Sequence, residues 1–268
     1  MTRRAALAAA LAAVLLVVGF AAGQLRVERP APPLICRPSM PERAAVGRRA
    51  VLLFGNSQLH DGDWRFPGAL AVNCARQGMT LRAGLAAADR LPDVAPAVVI
   101  VGFGAVEALQ AASQGAAVDA DAVARDMGAL LGHLRARWPE AELIILAVPP
   151  MRPALLPATR RNAARIGAIN DAIARAAGAA LLDPADALPV DEGGLLATMT
   201  YDGVHLTEAA YALLQAQIIA ASANLKTEPP PVLLRGLDPV HLAVKRPGFL
   251  QHHALLDAAA AGLGGDGV

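Results

Sequence analysis

"AVLLFGNSQLHDGDW", residues 50–64, is the stretch on which the reading of this chain turns. Val51 to Gly55 is an apolar run of strand length, and it stops at a glycine, which permits a tight turn. Asn56 and Ser57 follow at once. The chain holds few serines, the others being Ser39, Ser113 and Ser222, so one placed two residues beyond a strand end invites a chemical reading. Asn and Ser are also ordinary turn residues. The stretch alone therefore leaves Ser57 either a nucleophile or the polar end of a buried strand.

Working outward, the same kind of run recurs. AVVIVG (97–102), ELIILAV (142–148) and AALLD (179–183) are bounded, apolar throughout and of strand length, and a less regular strand is expected around Leu70 to Cys74. Between them lie helical stretches at Thr80 to Arg90, Asp119 to Trp138, Ala158 to Ala177 and Thr207 to Ser222, with Asp119 and Thr207 as helix starts. Strands without polar alternation, alternating with helices, imply a mainly parallel sheet covered on both faces. The expected fold class is thus α/β, a three-layer αβα sandwich. In such a sheet functional groups collect at the carboxyl ends of the strands, where Ser57 lies.

A second clue stands far away in "TYDGVHLTEAAYALL", residues 200–214. Asp202 and His205 are three apart, just before the last helix of the sandwich. An imidazole takes a serine proton only when its other nitrogen is held in the right tautomer, which a carboxylate one turn away achieves. Asp-x-x-His is also a common turn feature. Its weight here comes from its place, last in the domain, with a candidate nucleophile after the first strand.

This order resembles the SGNH, or GDSL-type, hydrolases: Gly55-Asn56-Ser57-Gln58 after the first strand, Gly78 followed by Thr80 after the second, and Asp202-Gly203-Val204-His205 near the domain end. The resemblance covers about residues 49–223. It implies a flavodoxin-like sheet and an esterase or acyltransferase. Ser57 would be the nucleophile, His205 the general base and then acid, Asp202 its orienting acid, and the backbone N–H groups of Ser57 and Gly78 the oxyanion donors. No cofactor and no metal is implied. Two departures stand out. Asn56 replaces the Asp usual before the serine, and the third block reads Gly102-Phe103-Gly104-Ala105 where the family has Gly-x-Asn-Asp, so the Asn donor is missing. Losing such a donor costs about 10²–10³ in rate unless another group replaces it. Gly104 is one candidate through its N–H, and the amides of Asn56 and Asn73 are others.

Asn56, Gln58, Asn73 and Phe103 are the expected substrate contacts, with Met79 beside Phe103 as an apolar wall of the acyl pocket. His60, close to Asp61 and Asp63, reads as a substrate contact or a surface group, because a base three residues from its nucleophile seldom reaches the right side of the attacked carbonyl. His133 reads as structural and Trp64 as packing. Glu107 either lines the cleft or sits at a helix start.

Composition limits the partners. The 268 residues are 55% hydrophobic, enough for one sizeable core and one main domain, while a net charge of +1 and 3% aromatics supply neither the field nor the stacking platform of a nucleic-acid binder. At the N-terminus, Arg3 and Arg4 precede the uncharged stretch from Ala5 to Ala22 and the small-residue end Ala21-Ala22-Gly23. Residues 1–23 are an export signal or an uncleaved membrane anchor. Residues 24–48, with Pro30, Pro32, Pro33, Pro38 and Pro41, form an arm that cannot hold a regular helix or a central strand. Residues 49–225 are the SGNH-like domain and 226–268 a C-terminal extension, whose His241, His252 and His253 read as solvated. Cys36 and Cys74 either pair or stay apart. The functional expectation is an exported, periplasmic or extracytoplasmic serine esterase acting on a small-molecule or glycan acyl ester, with O-acetyl or short acyl groups of a cell-envelope glycan as substrate. The alternative is a catalytically weakened binding module or a partner of a membrane acyltransferase. Oligomeric state stays open.

Overall fold

The protein is described by a computed structural model covering residues 34–38, 49–164, 166–178 and 181–226, side chains 162–164 excepted. The signal or anchor segment, most of the arm and the tail with its three histidines lie outside the described residues.

A five-stranded sheet forms the centre. Its strands are β1 (Arg37–Pro38), β2 (Arg49–Gly55), β3 (Ala69–Asn73), β4 (Pro96–Gly102) and β5 (Glu142–Ile145), in the spatial order β1-β3-β2-β4-β5. β3, β2, β4 and β5 run parallel, and only β1 is antiparallel, on the edge of β3. The parallel part has the flavodoxin-like order, in which the chain reverses its direction of winding between the first strand and the third. Here those are β2 and β4. Beyond β5 the expected fifth parallel strand at 179–183 is reduced, among the described residues, to one bridge between Leu146 and Leu182.

The strands are apolar on both faces because both faces are covered. Leu52, Phe54, Val99 and Val101 point into one core, shared with α2 (Leu81–Ala87), α3 (Ala105–Ser113), α4 (Ala120–Arg137) and α5 (Gly167–Ala177). Val51, Leu53, Val98 and Ile100 point into the other, shared with α6 (Glu208–Ala221) and with Trp64 and Phe66, which follow the short helix α1 (Ser57–His60). Full burial of side chains of this size contributes roughly 1.5–3 kcal/mol each relative to exposure. This is the expected three-layer α/β fold. Caps fall where the sequence placed helix starts: Asp119 accepts from the Ala122 N–H at 2.9 Å and Thr207 from the Ala210 N–H at 3.4 Å.

Two helical expectations change. The single helix expected over 158–177 is a 3-10 turn at Ala158–Ala164 followed by α5, since Gly167 is a poor helix former in mid-segment. The segment after Gly104 forms α3, which sequence marked only by Glu107 as a helix start and which has no side-chain cap. The two cysteines pair. The Cys36–Cys74 disulfide, with its Cα atoms 4.1 Å apart, pins the end of the arm to β3, and Pro38 sits on the edge strand, where proline's missing donor costs least.

Candidate active site

β2 and β4 meet at their carboxyl ends more closely than any side chain would allow. A Cβ at Gly55 would lie 2.2 Å from the Gly102 carbonyl oxygen. The chain then turns: the Asn56 N–H donates to Gly102 O at 3.0 Å, and Asn56 Oδ1 accepts from the Gln58 N–H at 3.0 Å. Asn56 is thus the N-cap of α1, and Ser57 is that helix's first residue. The serine stands at the point where the winding of the sheet reverses.

From the far end of the domain, His205 reaches it. His205 Nε2 lies 3.1 Å from Ser57 Oγ, and His205 Nδ1 lies 2.7 Å from Asp202 Oδ2. Asp202 Oδ1 accepts the N–H groups of Val204 and His205 at 2.9 and 2.8 Å, which fixes the carboxylate on its own turn. With Nδ1 donating to Asp202, Nε2 is left as the acceptor facing the hydroxyl. Partial burial pushes the Asp202 carboxyl up, but the hydrogen bonds from the His205 ring and from the two backbone N–H groups outweigh it and bring it down to about 2. The same Asp202 bond raises His205 above its ordinary value, against desolvation and with help from the Asp202 and Asp61 charges.

The turn is braced by residues that sequence reasoning passed over. Thr200, 4% exposed, donates through Oγ1 to His205 O at 2.8 Å and accepts from the Gly203 N–H at 2.9 Å. The Arg152 N–H donates to Gly203 O at 2.9 Å, and Gly203 has φ +91 with the Arg152 carbonyl oxygen 2.6 Å from where its Cβ would be. Thr200 opened the quoted TYDGVH stretch; Arg152 carried no local signal.

Gly78 lies on the exposed turn after β3, at φ +66, with open space around the position of a Cβ. Among the described residues, no backbone carbonyl accepts from the N–H of Ser57 or of Gly78. Gly104 is different. Its φ is +111, and a Cβ there would meet Val148 Cγ2 at 2.6 Å and Ile169 Cγ2 at 2.8 Å. Gly104, expected as a donor through its N–H, is itself buried, and among the described residues the space beside it holds no side chain that could replace the missing Asn amide.

The other expected contacts divide. Asn73 is already occupied, its Nδ2 donating to Leu59 O at 2.9 Å and its Oδ1 accepting from the Ala75 N–H at 3.0 Å, so it holds the end of α1 instead of a substrate. Asn56 is wholly buried and Gln58 nearly so, each with its amide nitrogen unpartnered among the described residues. Phe103 and Met79, each 1% exposed, are core residues and not walls of a cleft; Phe103 packs edge-on against Phe54, with ring centroids 5.5 Å apart, and fills the space over Gly84. His60 pairs with Asp61 at 2.6 Å, and Gln77 Nε2 donates to the same Asp61 oxygen at 3.0 Å. Trp64 packs against Tyr211 and Phe66.

Residues 57–213 match the family described as GDSL-like Lipase/Acylhydrolase. The chain belongs to that family. It is an ester-hydrolysing serine hydrolase of the GDSL-like type. Solved structures share the fold at low identity. A GDSL-like lipase from Bacteroides thetaiotaomicron VPI-5482 is 19% identical with a TM-score of 0.51, over 67% of this chain and 93% of that one. A putative platelet activating factor from Streptococcus pneumonia is 20% identical with a TM-score of 0.54, over 66% and 85%. An acetyl xylan esterase is 17% identical with a TM-score of 0.50, over 64% and 98%. No curated protein sequence matches.

Proposed function

We propose that this GDSL-like hydrolase is an exported esterase with Ser57 as nucleophile, His205 as general base and then acid, Asp202 as orienting carboxylate, and the N–H groups of Ser57 and Gly78 as oxyanion donors. One observation carries the assignment: a single imidazole bridges Ser57 Oγ at 3.1 Å and Asp202 Oδ2 at 2.7 Å across 148 residues of sequence. The Ser57 hydroxyl attacks the ester carbonyl while His205 Nε2 takes its proton, and the Asp202 carboxylate stabilises the imidazolium formed. The carbonyl oxygen gathers negative charge against the two backbone N–H groups. His205 then returns the proton to the departing alcohol, and water, or another alcohol, resolves the acyl-enzyme.

Export is supported by two features. Arg3, Arg4 and the apolar stretch to Ala22 have the form of a signal or anchor, and the Cys36–Cys74 disulfide belongs to an oxidising compartment. The substrate class we propose is an O-acetyl or short-acyl ester on a cell-envelope glycan; the fold shared with an acetyl xylan esterase and the extracytoplasmic setting support it. The test is fluorophosphonate labelling of the wild type, Ser57→Ala and His205→Ala, alongside acetate release from O-acetylated glycans. Labelling confined to the wild type, with acetate release, is expected; a wild type that resists the probe while binding glycan saturably would return the chain to a binding module.

A further inference from the structure

The turn that carries Gly78 is tied down on both sides. On its β3 side the Cys74 N–H donates to Leu53 O at 2.8 Å, the Arg76 N–H to Gly55 O at 2.9 Å, and the Ala75 N–H to Asn73 Oδ1 at 3.0 Å. On its α2 side the tie comes from a side chain 26 residues away: Glu107 Oε1 accepts the Leu81 N–H at 2.6 Å. Leu81 is the first residue of α2, three past Gly78, and Glu107 stands in the first turn of α3, three past Gly104. One carboxyl therefore joins the turn after β3 to the turn after β4.

A carboxylate in the first turn of a helix is explained by that helix's own free N–H groups. Capping a neighbouring helix needs a further reason. The arrangement carries a desolvation cost, since burial raises the Glu107 carboxyl above its usual range and its Oε2 has no partner among the described residues. Gly78 packs against nothing at its Cβ position, so its N–H is held through its neighbours: Arg76 bonded to Gly55 O, the buried Met79, and Leu81 tied to Glu107. In the proposed oxyanion hole Gly78 is one of two backbone donors, so displacing it affects half of the hole.

We propose that Glu107 is a positioning residue for the oxyanion donor at Gly78, acting by anchoring Leu81 to the first turn of α3. The role rests on the reading of Ser57 as nucleophile. Wild type, Glu107→Ala and Glu107→Gln are compared by kcat and KM on p-nitrophenyl acetate, by the rate of fluorophosphonate labelling at Ser57, by thermal unfolding, and by amide hydrogen exchange in the peptide spanning 74–82. Glu107→Ala is expected to lower kcat and the labelling rate together by about 10- to 100-fold, with KM within about twofold, and to speed exchange in that peptide. Glu107→Gln keeps the acceptor and should restore most of kcat. Should the alanine variant not fold, Glu107→Met fills the space without an acceptor and takes its place. Three results overturn the proposal: kcat unchanged within about twofold in the acceptor-free variant, Gln no better than Ala, or exchange in 74–82 unmoved. A wild type unlabelled at Ser57 overturns the hydrolase reading, and the oxyanion role with it, whatever the exchange shows.

Discussion

Two turns leave neighbouring strands at the same end of the sheet and end in opposite circumstances. After β2, Gly55-Asn56-Ser57 crosses close to Gly102 and delivers a hydroxyl to an imidazole that arrives from the end of the domain. After β4, Gly102-Phe103-Gly104 sends its aromatic ring into the core and closes its last position against Val148 and Ile169. The first turn carries the proposed nucleophile and the second is given to packing. A sheet can place two functional groups side by side at its winding reversal; on the proposed mechanism this chain uses one of the two places, and the charge on a bound carbonyl is met by the backbone near Ser57 and Gly78.

Variants at the first turn should show the largest effects. On the proposed mechanism Ser57→Ala removes the attacking oxygen, and ester turnover is expected to fall by on the order of 10⁴–10⁶-fold with little change in unfolding temperature, measured on the same ester substrate. Asp202→Asn leaves the shape but turns the His205 ring to the wrong tautomer, and a loss of about 10³–10⁴ in kcat is expected. If Asp202→Asn were harmless, the 2.7 Å bond to His205 Nδ1 would be only a turn feature, and the contrast between the two turns would lose its chemical meaning.

The second turn should respond in stability instead. Gly104→Asn restores the residue that the GDSL-type third block leads one to expect, but at φ +111 and with two side chains within 3 Å of the new Cβ it should destabilise the fold by roughly 2–5 kcal/mol and raise no activity. Denaturant unfolding measures the first part and ester turnover the second. A stable, faster variant would mean that the turn relaxes readily and that packing does not close it. Removing the disulfide with Cys36→Ser and Cys74→Ser together tests the scaffold around both turns. The bridge spans 38 residues of sequence, for which chain entropy gives about 4 kcal/mol, and the loss should appear as a lower denaturation midpoint.

The difference between the turns also marks how far sequence could reach. Strands of the VLLFG kind, without alternation, required a sheet covered on both faces, and the order of Ser57, Asp202 and His205 carries the family resemblance in the sequence itself. Both are properties of residue type and order. Phe103 and Met79 misled because an apolar residue beside a cleft and one beneath it read alike, and the pleat that sends Phe103 to the α2 side depends on where β4 ends. Asn73 misled for a related reason: its amide is free in the sequence and taken in the fold, by carbonyls 13 and 14 residues away. The tie from Glu107 to Leu81 joins two helix starts that no local pattern connects.

The smallest effect sharpens the comparison, because it asks what the first turn supplies beyond Ser57. As the proposed base, His205 works only when neutral, and the Asp202 bond raises the pH at which it loses its proton. The acid limb of kcat/KM should therefore lie above the unperturbed value of about 6.5, with activity falling about tenfold per pH unit below it. Asp61, at the end of α1, adds to that rise through its charge, and it is held by His60 at 2.6 Å and Gln77 at 3.0 Å. Asp61→Asn removes the charge and keeps the size. The sign follows directly: with one negative neighbour fewer, the imidazolium is less stable, the neutral base persists to lower pH, and the limb should move down while the plateau changes little. A pH profile of kcat/KM on the two proteins decides it, and a limb that stays in place would confine the catalytic contribution of α1 to Ser57.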